Sequence, residues 1–165
     1  MNAPVQACIG LGGNVGDVPA TFDAALRAIA ALPGTRVLRV SGRYLTPAWG
    51  GVAQADFVNA AALVETALAP LDLLDGLLAI ERDAGRDRAK ELRWGPRTLD
   101  LDLLLYGDAV LDLPRLSLPH PRLHERAFAL VPLAEVAPQA RIPGRGSVRD
   151  ALLRVDASGV RPLAR

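Results

Sequence analysis

Two aspartates separated by one residue, Asp100 and Asp102, are the strongest candidates for chemistry in this sequence of 165 residues. They alternate with leucines over 99–103, which predicts a β-strand with both carboxylates on one face and the leucines on the other. Carboxylates about 6.6 Å apart repel each other by roughly 2 to 3 kcal/mol at an effective dielectric constant of 20, and a bound cation reverses that cost. Magnesium prefers one or two carboxylates completed by water and phosphate oxygens, so the pair predicts a site for magnesium and a nucleoside triphosphate.

The alternative is that both aspartates only solubilise the outer face of an amphipathic strand. The segment immediately upstream, Arg93-Trp94-Gly95-Pro96-Arg97, favours the metal site. Its rigid Gly-Pro turn would deliver Trp94 and Arg97 to the start of the strand. A guanidinium offers a planar fork of donors that suits phosphate bound to magnesium.

A cluster of basic residues precedes this turn, formed by Arg86, Arg88, Lys90 and Arg93. Such a cluster is typical of a solvated surface. Beside a triphosphate it becomes a candidate lid that closes over the phosphates, excludes water and supplies charge to the transition state. Glu81, at the base of the cluster, extends a leucine stripe and therefore places a carboxylate near a buried helix face.

Histidine, arginine and aromatic residues elsewhere could complete a site. His120 lies between two prolines that fix its backbone, and Arg126 follows it. A structural role is the alternative for this histidine. Phe57 and Phe128 lie in or beside loop-rich segments, where they either belong to the core or stack on a flat heterocycle whose edge a polar neighbour such as Asn59 contacts.

Hydrophobic periodicity and turn residues predict interleaved strands and helices. Short connections between several strands favour an antiparallel or mixed sheet with helices packed on it, so we predict the α+β class. The segment Gly10–Asn14 fits no dinucleotide or triphosphate fingerprint and is interpreted as a turn at a strand end. The predicted strands are 5–11, 35–44, 57–66, 98–105 and 116–118; the predicted helices are 19–32, one from Pro70 to Gly85 with an inner stripe of Leu71, Leu74, Leu77 and Leu78, 128–136 interrupted by Pro132, and 148–155.

Composition predicts one domain over 1–165, since half of the residues are apolar and the length is too short for two ordinary domains. Nineteen basic and eighteen acidic residues leave a net charge of +1, which gives no global field for nucleic acid or a membrane. Cys8 is the single cysteine, which points to a reducing compartment and a buried apolar role. With no signal-peptide pattern and no long apolar run, we expect a cytoplasmic protein. We also expect a monomer that acts on small molecules.

The segment from Arg93 to Asp102 resembles the signature of the 6-hydroxymethyl-7,8-dihydropterin pyrophosphokinase family. This resemblance extends through most of the chain up to about Pro138. It is carried by 10–14, Thr46-Pro47, Phe57 with 59–61, Glu81 followed by 85–86, and Pro119-His120 followed by Arg126 and Phe128.

The resemblance implies a ferredoxin-like fold with helices on both sides of the sheet. It also implies that pyrophosphate passes from ATP to the hydroxymethyl group of the pterin, releasing AMP, in folate biosynthesis. Asp100 and Asp102 would hold two magnesium ions and act in catalysis with Arg86 and Arg97. The pterin would meet Thr46, Pro47, Phe57, Asn59 and Phe128, and the nucleotide would meet Glu81, Arg88, Arg93, Trp94, Arg97, Arg115, Ser117, His120 and Arg126.

Two other functions are compatible with parts of the sequence. A nucleic-acid-binding module on the same fold would present a basic sheet face with stacking aromatics, whereas this strand presents two aspartates. A non-catalytic relative that binds pterin or nucleotide remains open, although the intact Arg97, Asp100 and Asp102 argue against it.

Overall fold

The structure, a computed structural model, describes residues 3–47, 55–85 and 98–163. A 3-10 helix at Leu123–Glu125 precedes the third α-helix. The elements are β1 Val5–Gly13, α1 Val18–Ala30, β2 Thr35–Val40, β3 Tyr44–Thr46, β4 Phe57–Thr66, α2 Pro70–Asp83, β5 Asp100–Tyr106, β6 Leu111–Asp112, β7 Ser117–Leu118, α3 Ala127–Val136, β8 Arg141–Ile142, β9 Gly146–Ser147, α4 Val148–Leu152 and β10 Arg161–Pro162.

The main sheet has the order β10-β3-β4-β1-β5, and β2 pairs with another part of β4. Every strand pair within the described ranges is antiparallel. The pairing of β1 with β5 is irregular between Cys8 and Ile9. Because β1 lies at the centre between β4 and β5, side chains of these three strands form one continuous surface on each face of the sheet.

Helices cover both faces of the sheet, as predicted for an α+β fold. Alternate residues of β1, among them Ala7 and Ile9, pack with α1 and α2 in one buried cluster, the α1–α2 core. Cys8, from the opposite face, packs with α3 and α4 in a second cluster, the α3–α4 core. Burial raises the pKa of the Cys8 thiol to about 12, which fits its predicted apolar role. In the parts of the chain that the structure describes, no helix is long and apolar enough to cross a membrane.

Local sequence signals explain where α1 and α2 begin and end. Asp17 caps α1 by accepting a hydrogen bond from the Ala20 amide at 3.1 Å. Pro70 begins α2, where a missing N–H costs nothing, and Gly85 follows its end with a φ of +94° that favours glycine.

The predicted inner stripe of α2 is right in part, since Leu77 is buried and Leu71 and Leu74 pack against the α1–α2 core. Leu71, Leu74 and Leu78 are only partly buried, whereas the buried residues are Leu73, Leu77, Ile80 and Glu81. A helix rich in leucine offers two neighbouring apolar stripes, and packing against the sheet decides which of them is buried.

Three further boundaries differ from the prediction. β1 continues to Gly13, so 10–13 is strand and not a turn, because its backbone pairs with both β4 and β5. α3 continues through Pro132, which is buried beside Leu133, so packing offsets the lost backbone donor. The predicted strand 35–44 is divided at Ser41, whose hydroxyl accepts a hydrogen bond from the Ala61 amide at 2.9 Å.

Candidate active site

The paired aspartates face the side of the sheet that the leucine pattern predicts. Leu99, Leu101 and Leu103 are buried in the α1–α2 core, whereas Asp100 and Asp102 are partly exposed on the opposite face. That opposite face is the one that α3 and α4 cover further along β1 and β4. The two carboxylates therefore lie where the α3–α4 core gives way to polar, partly exposed residues.

Two glycines of β1, which carry no side chain, lie opposite these carboxylates. Gly10 pairs with Asp102 and Gly12 pairs with Asp100, so all four positions share one face. A Cβ atom at Gly12 would lie 3.3 Å from Asn59 Oδ1, and one at Gly10 would lie 3.3 Å from Leu104 Cδ1. These two glycines form the floor of the candidate site. The sequence interpretation missed them, although their spacing matches the spacing of the two aspartates.

Polar residues of β3 and β4 continue the same row across the sheet. Asn59 pairs with Gly12 and is 6% exposed. Its Nδ2 donates a hydrogen bond to Thr46 Oγ1 at 2.9 Å, which turns Oδ1 toward Gly12. Phe57, partly buried, pairs with Thr46, and the exposed Pro47 follows. The structure thus brings four predicted substrate-binding residues beside the aspartates' side of the sheet.

His120 is bonded to β5 through its backbone, and one of its ring nitrogens already accepts a hydrogen bond. Its backbone amide donates to the Leu104 carbonyl at 2.9 Å, and its Nδ1 accepts from the Arg122 amide at 3.1 Å. The proton of the neutral ring is therefore on Nε2. Burial, followed by the Arg126 charge, lowers the pKa of His120 to about 4, although the nearby Asp100 carboxylate opposes that change. His120 is a neutral hydrogen-bond donor at pH 7.

This low pKa predicts a specific dependence of stability on pH. The unfolded chain takes up a proton at this position below about pH 6.5, whereas the folded chain resists it down to about pH 4. Between these values His120 should make folding less stable as the pH falls. His120→Asn, which keeps an acceptor for the Arg122 amide, should flatten that dependence in urea unfolding measured from pH 7 to 4.5. Identical pH slopes in both proteins would contradict the prediction.

Arg126 and Phe128 form a contact at the start of α3. The guanidinium lies 5.5 Å from the centre of the Phe128 ring, close enough for a cation–π interaction. This contact covers one face of the ring and ties Arg126 to the vicinity of His120. The structure therefore places these three predicted residues together.

The β6–β7 hairpin carries Arg115 and Ser117. Arg115 forms an ion pair with Asp75 of α2, and both side chains are about half exposed. Ser117 is partly buried and pairs with Asp112 within the hairpin. An exposed ion pair contributes roughly 0 to 1 kcal/mol, so a ligand phosphate can replace Asp75 at little cost.

Glu81 is buried, as predicted, with 1% of its surface exposed. Its Oε2 accepts a hydrogen bond from the backbone amide of Leu101 at 2.7 Å. Leu101 lies between the two aspartates on β5, the last strand of the sheet among the residues that the structure describes. One carboxylate oxygen of Glu81 thus holds the strand that carries the acidic pair, and the predicted nucleotide contact of Glu81 stays a prediction.

Removal of this acceptor should destabilise the protein. Glu81→Ala leaves a buried amide without its partner, which costs about 1 to 3 kcal/mol of the free energy of unfolding. Glu81→Gln keeps an oxygen acceptor of the same reach and should lose less. Urea unfolding of both variants measures the difference, and an equal loss would show that the acceptor for Leu101 is not what matters.

Five predicted site residues lie outside the described residues. Their roles stay predictions from the sequence. They are Arg86, Arg88, Arg93, Trp94 and Arg97.

Comparisons with known proteins identify the family. Residues 8–138 match the model of the family described as 7,8-dihydro-6-hydroxymethylpterin-pyrophosphokinase (HPPK). The "2-amino-4-hydroxy-6-hydroxymethyldihydropteridine pyrophosphokinase" of Pseudomonas aeruginosa is 51% identical over 135 residues, which cover 82% of each chain. The protein of the same name from Methylorubrum extorquens is 48% identical over 155 residues, covering 94% of this chain and 96% of the relative.

Solved structures support the fold independently. Wild-type Plasmodium falciparum HPPK-DHPS superposes with a TM-score of 0.71 at 14% identity, covering 93% of this chain and 45% of that longer chain. At that identity the similarity shows the fold alone, and it agrees with the ferredoxin-like arrangement predicted above. Because the family match spans the strands that carry the acidic pair, the glycines and Asn59, this chain belongs to the 7,8-dihydro-6-hydroxymethylpterin-pyrophosphokinase family.

Proposed function

We propose that this chain transfers pyrophosphate from ATP to 6-hydroxymethyl-7,8-dihydropterin, giving the pterin pyrophosphate and AMP, in folate biosynthesis. The observation that carries the proposal is the row formed by Asn59, Gly12 and Asp100 on three adjacent strands. In this row the Asn59 amide and the Asp100 carboxylate lie on opposite sides of Gly12. Because Gly12 has no side chain, it leaves a gap between them. Family membership and close relatives that carry this enzyme name support the same conclusion.

Magnesium fits the acidic side of this gap. Asp100 and Asp102 supply two hard oxygen ligands on one face, and Gly12, which pairs with Asp100, adds no side chain beside them. We propose that the pair holds two magnesium ions together with ATP. When bound, these ions neutralise phosphate charge and make the β-phosphorus more electrophilic.

The pterin fits the amide side of the gap. Asn59 Oδ1 is an acceptor whose direction the bond to Thr46 fixes, and a pterin edge carries amino and ring N–H donors. Phe57 and Phe128 would stack on the two faces of the ring, and Pro47 would close one end. Stacking and a fixed acceptor together orient the hydroxymethyl group toward Asp100.

The reaction forms a bond between the pterin oxygen and the β-phosphorus and breaks the bond from that phosphorus to the α-phosphate oxygen. The chain contributes mainly by positioning and by charge. His120 can donate a hydrogen bond from Nε2 to a phosphate oxygen. The Arg126 guanidinium beside it can neutralise negative charge on the phosphates. We propose Asp100 as the nearest candidate to accept the proton of the attacking hydroxyl.

The other nucleotide-side residues retain their sequence-based roles in this proposal. Arg115 would exchange Asp75 for ATP, and Ser117 would lie next to it. Arg86 and Arg97 are proposed to stabilise the transition state. Glu81, Arg88, Arg93 and Trp94 complete the proposed nucleotide side.

An assay for AMP formation from ATP and 6-hydroxymethyl-7,8-dihydropterin tests the function. We expect AMP to form only when the pterin and magnesium are both present. AMP release that ignores the pterin, or binding of both substrates without turnover, would overturn the proposal and favour a non-catalytic relative. We further propose a single domain that acts as a monomer in the cytoplasm, and gel filtration of the active protein checks the monomer.

A further inference from the structure

Helix α3 is held in place by apolar packing and by hydrogen bonds near its C-terminal end. Leu130, Leu133 and Val136 pack it into the α3–α4 core, and this hydrophobic driving force is non-directional. In the part of the chain that the structure describes, its N-terminal residue Arg126 makes no side-chain capping bond. Glu135 is the one charged residue within the helix. Directional contacts of Glu135 therefore add to the packing in locating α3.

The Glu135 carboxylate accepts two hydrogen bonds, one from Tyr44 at the start of β3 and one from Gly42 just before it. Oε2 accepts from the Gly42 amide at 2.5 Å, and Oε1 accepts from the Tyr44 hydroxyl at 2.7 Å. Burial and the neighbouring Glu135 raise the pKa of Tyr44 to about 12, so the phenol stays protonated and remains a donor. Arg39 adds a bond from Nη1 to the Val136 carbonyl at 3.3 Å. The last turn of α3 is thus joined to the connection between β2 and β3.

These contacts join the two elements that carry the proposed pterin-binding residues Thr46 and Phe128. Tyr44 pairs with Asn59 and precedes Thr46 by two residues, so the three side chains share one face of the sheet. Glu135 follows Phe128 by seven residues, or about two turns, so both lie on one face of α3. The bond from Tyr44 to Glu135 therefore connects the strand that carries Thr46 with the helix that carries Phe128.

We propose that Tyr44 and Glu135 are positioning residues for the pterin, which set the distance between Thr46 on β3 and Phe128 on α3. The inference rests on the proposed function. Neither side chain needs to touch the substrate, because each acts through an element that does. Loss of the pair should widen the space in which the ring stacks and leave the nucleotide side unchanged.

Tyr44→Phe is the sharpest test, because it removes one hydroxyl and retains the ring. We expect the KM for the pterin to rise about threefold to tenfold, the range of one net hydrogen bond, and the KM for ATP to stay within about twofold. Glu135→Ala, which loses both bonds, should raise the pterin KM further. Glu135→Gln keeps an oxygen acceptor and should recover part of the loss. Titration of pterin fluorescence in the presence of a non-hydrolysable ATP analogue measures the same change without turnover.

Arg43→Ala is the matched control, because Arg43 adjoins Tyr44 but pairs with Asp23 of α1 at 2.5 Å. It should leave both KM values unchanged. If Tyr44→Phe lowers only the free energy of unfolding, or raises both KM values equally, the pair is merely structural and the inference fails. A wild-type protein that forms no AMP overturns the proposed function instead. An active wild type with an unchanged pterin KM in Tyr44→Phe overturns only this inference, even if Glu135→Ala does not fold.

Discussion

Asp102→Ala is expected to lower magnesium-dependent AMP formation by at least about a thousandfold while the chain stays folded. Asp102 lies on the partly exposed face of β5, opposite Gly10, so the alanine creates no cavity in the core. Half of the proposed metal-binding charge is lost, and phosphate charge near the transition state is then poorly neutralised. AMP release at saturating ATP, pterin and magnesium measures the loss. Thermal unfolding should shift by no more than about 3 °C, as expected for a residue outside the core.

Asp108→Ala provides the matched control, since Asp108 is an exposed carboxylate in the turn that follows the same strand. Its activity should remain within about twofold of the wild type. Asp102→Asn separates charge from size, because it keeps the shape of the side chain and removes the negative charge. Full activity in Asp102→Ala would remove the basis for the metal site, and full activity in Asp102→Asn alone would show that shape and not charge matters.

Local patterns predicted the elements where one residue type repeats with a clear period. β4 occupies 57–66, as its run of apolar residues indicates, and the alternation around Asp100 and Asp102 gives the correct face for each side chain. Each of these features depends on neighbours along the chain. In α2, Leu78 satisfies the helical period as well as Leu73 and Ile80 do, so the sequence could not show that the latter two are the buried residues.

Features that depend on contacts between distant segments could not be predicted in the same way. The bond between Tyr44 and Glu135 joins residues 91 positions apart, and the register of β1 against β5 decides which glycine faces which aspartate. The alternation fixes the face of each residue but not its partner on the next strand, because a shift of two residues keeps every side chain on the same face. Gly12 therefore appeared to belong to a turn, although it is the floor of the candidate site.

Gly12 lowers the stability of the strand that contains it, so a role in the candidate site would explain its presence. Glycine weakens the interior of a strand, and the backbone at Gly12 does not have a positive φ, so an ordinary residue can adopt it. Valine is a strong strand former and should be tolerated by the backbone. A Cβ atom, however, would lie 3.3 Å from Asn59 Oδ1 and 3.9 Å from Asp100 Cβ. The side chain would fill the gap that separates the proposed pterin amide from the proposed metal ligand.

Gly12→Val is therefore expected to remain folded and to lose at least about a hundredfold in AMP formation, because misplacement of about 1 Å in a substrate can cost that factor. Gly12→Ala should lie between this variant and the wild type. Gln6→Val is the control, since Gln6 is exposed and lies on the same face of β1, six residues away at the other end of the strand. It should keep full activity. Circular dichroism of the three variants measures folding, and steady-state AMP assays measure catalysis. A fully active Gly12→Val would mean that the substrates do not meet above Gly12.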